Sequence, residues 1–151
     1  MNAKPDHEPE AAEPEHLRQR SIRTLAWLGD AEFEREVRLR LSRRGDHRTD
    51  RLDKLRARLV NAEAQAELLA ELIEADALRE DELAVVGRAR NTAVRGGGRR
   101  SRSGSKRSVR DYRSATALEA LVAWWVHGGE AERFAALVGP ALEARIDEWL
   151  A

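Results

Sequence analysis

Apolar residues recur at three- and four-residue spacing along most of the chain, the period of a helix with one packed face. Ile22, Ala26, Phe33, Val37 and Leu41 predict a first long helix from about His16 to about Arg44, ended by Gly45. Leu52, Leu55 and Leu59 mark a second helix over about 50–60. Asn61 reads as the cap of a third, from Ala62 to about Ala75, with Ala66, Leu69 and Ile73 on its inner face. Asp81 reads as the cap of a fourth, with Leu83, Val86 and Ala89 facing inward and an end near Thr92. A fifth helix, about 111–127, carries Glu119 as its only charged residue between Arg113 and His127. A helix apolar nearly all round is expected to be central and buried. Gly128 and Gly129 close it, another helix covers 130–138, and Gly139–Pro140 is expected to stop that helix and open a final one. No internal repeat interrupts this succession, so the predicted fold class is all-α.

Two acids break the pattern. Projected at 3.6 residues per turn, Asp30 falls within the apolar stripe of the first helix, and Glu119 lies among Ala115, Val122, Ala123 and Val126. An unpaired buried carboxylate costs several kcal/mol, and two that share a dry site repel each other when ionised. Each could accept a hydrogen bond from a tryptophan or pair with an arginine. Their repetition on the two most apolar helices instead favours a divalent cation held between them. Mg²⁺ suits such a pair, because it takes few protein carboxylates, keeps several waters and also binds phosphate oxygens. Gly29, beside Asp30, costs about 1 kcal/mol relative to alanine in mid-helix. It is expected to mark the close approach of another backbone or helix.

Composition narrows the class. The chain has 151 residues, 42% apolar and 36% charged, enough for one domain with a real core. It has no cysteine, which excludes disulfides and thiolate metal sites. No apolar run reaches the roughly 18 residues of a membrane span, and the acidic N-terminus lacks the apolar core of a secretory signal. A cytoplasmic protein without membrane association is expected. The four histidines are scattered without ligand spacing.

The net charge of zero conceals a strong asymmetry. Residues 1–16 hold five acids against one base, with three prolines among them, and are expected to form a disordered acidic tail. Residues 95–110 hold seven bases (Arg95, Arg99, Arg100, Arg102, Lys106, Arg107 and Arg110) and no acid. Their glycines and serines predict a mobile loop within the domain. Such arginine-rich segments are often only solvated, but they also neutralise phosphates without base specificity. Arg88, Arg90 and Asn91 end the helix that leads into it.

Leu25-Ala26-Trp27-Leu28-Gly29-Asp30-Ala31 resembles the signature of the ribonuclease III catalytic domain, in particular that of its short relatives, the Mini-ribonuclease III family. Arg88-Ala89-Arg90-Asn91 resembles that family's Arg-Gly-Arg-Asn segment, and Tyr112 to Leu121 resembles its second signature. The three occur in the family's order, and the similarity spans about residues 21–139. The resemblance implies that residues 17–151 form an all-helical endonuclease domain, homodimeric and acting on double-stranded RNA. No double-stranded-RNA-binding domain is expected to follow. Precursor large-subunit ribosomal RNA is the implied substrate, with products bearing a 5′ phosphate and a 3′ hydroxyl. Asp30 and Glu119 match the catalytic, metal-holding carboxylates, with Mg²⁺ as cofactor. Arg88, Arg90, Asn91 and the basic residues Arg95, Arg99, Arg100, Arg102, Lys106 and Arg107 are the expected RNA contacts. Full-length ribonuclease III enzymes have two further acids, matched here by Ala26 and Thr116, as is usual in the shorter family. Ala89, Ala123, Arg35 and Glu36 also depart from its pattern. A non-catalytic RNA-binding dimer of the same fold is the alternative.

Overall fold

The computed structural model describes residues 14–95 and 106–150. Among them the regular elements are α1 (Pro14–Arg18), α2 (Ile22–Ser42), α3 (Thr49–Val60), α4 (Ala62–Glu74), α5 (Glu80–Arg95), α6 (Lys106–His127) and α7 (Ala131–Leu150). The expected tail over residues 1–13 and the loop over 96–105 lie outside the described residues.

The nearly uncharged stretch of α6 makes it the axis of the fold. Ala117, Leu118, Ala120, Leu121, Val122, Ala123 and Trp125 are all fully buried. Around them pack α1, α2, α4, α5 and α7, while α3 closes the side formed by α2, α4 and α7. The stripe read from the first long helix is buried as expected: Ile22, Ala26, Phe33, Val37 and Leu41 all face the core. A central helix that must touch five others can carry few polar groups, which is why this segment looked apolar on every face.

Several boundaries differ from the pattern, each for a local reason. The first helix is divided at residues 19–21, because Ser21 caps α2 by accepting a hydrogen bond from the Thr24 amide. The described part of the expected tail, Pro14 to His16, belongs to α1. That short helix is held by Arg18, which donates to the Trp124 carbonyl and to Glu130 and lies over the Trp124 ring. Helix α4 buries Ala64, Gln65, Leu68, Leu69 and Leu72, whereas Ala66 and Ile73 are only half-buried. Helix α5 starts at Glu80, and it turns Glu82 inward and leaves Leu83 43% exposed. Helix α6 begins at Lys106, so residues 106–110 are helical rather than loop, and Arg95 ends α5.

Helix α7 runs through Gly139–Pro140 without the expected stop. Phe134, Val138, Leu142 and Ile146 remain in phase at four-residue spacing across the proline, and all are buried. Burial of both halves offsets the roughly 3 kcal/mol that a proline costs in a helix interior. Gly139 leaves room for Arg40, since a Cβ there would lie 2.7 Å from an Nη atom of its guanidinium. Arg40 uses that space to bridge Glu36 at 2.7 Å and Glu143 at 2.9 Å, tying α2 to α7. The charged Glu36 therefore holds Arg40 from within α2, and Arg40 with Glu143 forms the interhelical pair.

Among the described residues Glu82 is the fully buried acid, at 0% exposure. It accepts hydrogen bonds from Trp125 Nε1, from Arg133 Nε and Nη2 at 2.6 Å, and from the Arg79 amide at 2.7 Å. Burial pushes its pKa up, but the hydrogen bonds from Arg133, the Arg79 backbone and Trp125 outweigh burial and hold it down at about 2. The folded value lies below the ordinary 4.5, so its stabilising contribution is complete above pH 4.5 and is lost as pH falls towards 2. Replacing Glu82 by alanine leaves the Arg133 guanidinium and the Trp125 N–H without their acceptor. Thermal and urea melts should show a loss of about 3 kcal/mol at pH 7, and a much smaller difference between variant and wild type near pH 2.

Candidate active site

Helices α2 and α6 approach so closely at Gly29 that side chains are excluded from the contact. A Cβ on Gly29 would overlap the Glu119 carbonyl oxygen and lie 2.5 Å from its carbonyl carbon. The close approach expected at Gly29 is thus within the chain, between α2 and the backbone of the other anomalous acid. It brings Asp30 and Glu119 side by side on two crossing helices.

The two acids are not equivalent. Asp30 is solvent-exposed, so the burial read from its helical projection is corrected. A projection fixes the angle of a side chain but not what covers it. Asp30 lies beside the α2–α6 crossing, where none of the described elements covers it. Glu119 is half-buried, between the fully buried Leu118 and Ala120. Burial raises its pKa, the negative charge of Asp30 raises it further, and the Gln65 amide opposes both, leaving it at about 7 against an ordinary 4.5.

Gln65 is the residue that the sequence pattern missed. It is 2% exposed, lies on α4 and its amide interacts with the Glu119 carboxyl. The signal for it was available in principle: a glutamine among the apolar positions of α4. The stripe assigned to that helix was one residue out of phase, which placed Ala66 inward in its stead.

The positions that match the two additional acids of longer enzymes supply no carboxylate here. Ala26 is 7% exposed and has no donor atom in its side chain. Thr116 turns its hydroxyl back to the Tyr112 carbonyl at 3.0 Å, within its own helix. Among the described residues no group of three or more His, Cys, Asp or Glu side chains is placed to hold a metal. The donor set is therefore two carboxylates, with the Gln65 amide beside Glu119. That set fits Mg²⁺, which needs only one or two protein carboxylates and fills its octahedron with water and phosphate oxygens.

Arg88, Arg90 and Asn91 are exposed on α5, flanking the fully buried Ala89. Arg95 ends α5, and Lys106 and Arg107 open α6. Arg99, Arg100 and Arg102 lie outside the described residues. The structure thus gathers Asp30, Glu119 and Gln65, and sets the described basic residues on the exposed surface and helix ends around the 96–105 connection.

A family profile for the ribonuclease III domain matches residues 23–129. The chain belongs to the ribonuclease III family. Its similarity is to the short branch of that family. It is 40% identical over 118 residues to the Mini-ribonuclease 3 of Brevibacillus brevis, covering 78% of this chain and 81% of that one. It is 38% identical over 120 residues to the Mini-ribonuclease 3 of Symbiobacterium thermophilum, covering 80% of this chain and 86% of that one. A solved structure of a Fusobacterium nucleatum protein superposes with a TM-score of 0.71 at 26% identity, over 85% of this chain and 96% of the other. Both matched signatures of this family, around Asp30 and around Glu119, fall within the profile and meet at the Gly29 crossing.

Two measurements test the geometry. Gly29→Ala should destabilise the fold by about 3 kcal/mol or more, because the clash is with backbone and cannot be relieved by a rotamer; a urea melt reads it. Second, Glu119 binds protons more readily folded than unfolded, so in metal-free buffer its contribution makes stability fall as pH rises from 4.5 to 7. In EDTA, Glu119→Gln should therefore melt higher than wild type at pH 8, with the difference shrinking towards pH 4.5.

Proposed function

We propose that this chain is a Mg²⁺-dependent, cytoplasmic endoribonuclease that cleaves double-stranded RNA as a homodimer, with precursor large-subunit ribosomal RNA as its substrate. The coarser statement, an endoribonuclease of the ribonuclease III type, rests on membership of the family. The observation that carries the finer reading is the juxtaposition of Asp30 and Glu119. Burial and the facing negative charge keep Glu119 at about pKa 7, a strain that a divalent cation between the two would relieve. None of the helices in the described residues is long and apolar enough to cross a membrane.

In this reading Asp30 and Glu119 hold the ion. When bound, Mg²⁺ would supply the charge that neutralises a phosphodiester and lowers the cost of its hydrolysis. Asp30 would be the exposed ligand and Glu119 the more deeply buried one. Arg88, Arg90 and Asn91 would donate to phosphate oxygens, joined by Arg95, Arg99, Arg100, Arg102, Lys106 and Arg107. Contacts of this kind suit A-form RNA, which is recognised by its shape and backbone. Trp27 supports the dimer: it is 76% exposed, two residues before Gly29. So large an aromatic surface is favoured at interfaces and disfavoured in water.

Wild-type protein should cut a perfect RNA duplex only when Mg²⁺ is present. Asp30→Asn and Glu119→Gln should each lower kcat by at least about 100-fold, the scale of lost charge stabilisation at a reacting centre, while still binding the duplex. Duplex binding by wild type without any cleavage would mark a non-catalytic RNA-binding protein instead. In sedimentation velocity the wild type should run as a dimer and Trp27→Asp as a monomer; an unchanged coefficient would exclude Trp27 from the interface.

A further inference from the structure

Gln65 stands where packing alone would place a leucine. Its neighbours on α4 are the buried Ala64, Leu68, Leu69 and Leu72, and it is itself 2% exposed. Burying an amide without partners costs about 1–3 kcal/mol. Yet its Nε2 makes no hydrogen bond with any described group. The amide is near enough to Glu119 to favour the ionised carboxylate, without completing a hydrogen bond to it in this conformation.

The chemistry of the amide decides what that nitrogen is for. Only the NH₂ end of a glutamine can stabilise a carboxylate, since its carbonyl end would repel one. A glutamine also adds no charge. Asp30 and Glu119 together carry two negative charges when ionised, matched to one divalent cation. A lysine or arginine in place of Gln65 would cancel one of those charges, and a third acid would exceed them. We infer that Gln65 is a positioning residue of the metal site: its Nε2–H holds the inner oxygen of the Glu119 carboxylate, so that the outer oxygen faces the cation beside Asp30. The buried Nε2–H, which has no partner among the described groups, is the donor available to that oxygen. Outer partners of this kind orient metal ligands, and their removal typically weakens metal affinity about 10–100-fold.

This inference rests on the metal-dependent reading above, and its test separates the two. Gln65→Leu and Gln65→Met both fill the space and remove the donor; the unbranched methionine guards against a packing defect peculiar to leucine. Mn²⁺ is titrated calorimetrically into each RNA-free protein, alongside thermal melts and duplex cleavage across a Mg²⁺ series. Both variants should bind Mn²⁺ roughly 10–100-fold more weakly, melt at or above the wild-type temperature because an unpaired buried amide is gone, keep the wild-type KM for RNA, and regain kcat at high Mg²⁺. Wild-type Mn²⁺ affinity in both variants overturns the inference and leaves the endonuclease reading intact. Melting temperatures that fall together with affinity in both also overturn it, by making Gln65 a packing residue. A wild type that neither binds the ion nor cuts the duplex removes both proposals at once.

Discussion

The backbone contact between Gly29 and Glu119 is the constraint on which the candidate site depends. A helix pair is ordinarily held apart by the side chains at its crossing. Here one partner contributes none, and the α6 carbonyl occupies the place where a Cβ of α2 would stand. Two acids that are remote in sequence thereby become neighbours. The cost is the helix propensity lost at Gly29, about 1 kcal/mol, against burial of Phe33, Val37 and Leu41 along the same face. Any β-carbon at position 29 would separate the acids, so the candidate site and the core share one packing condition.

Around that crossing the chain sorts its charges into two kinds. Glu82, Arg133, Arg40 and Glu143 are satisfied by one another and hold helices together. Glu82 has four donors directed at it and a pKa held down at about 2. Glu119 has a facing acid and one neutral amide, and its pKa is pushed up to about 7. Both are carboxylates on core helices, and Glu82 is the more deeply buried. The difference lies in what faces them: a guanidinium completes the first, whereas the second has charge of its own sign beside it. That unfilled electrostatic demand distinguishes a site from a structural ion pair in this molecule.

The sequence carried the all-α class, the buried stripe of α2, the central role of α6, the close approach at Gly29 and the anomaly of Glu119. These follow from periodicity and from residue types with few permitted environments: an apolar helix needs cover, and a mid-helix glycine or core carboxylate needs a reason. The exposure of Asp30, the inward turn of Glu82 and Gln65, and the continuation of α7 through Pro140 were decided by tertiary packing. Helical angle states which residues share a face, but only the crossing of specific helices states which part of that face is covered, and a phase error of one residue on α4 was enough to hide Gln65. The identity of the backbone that Gly29 approaches was likewise settled only when α2 and α6 were brought together, because a glycine records that room is needed and not which neighbour will take it.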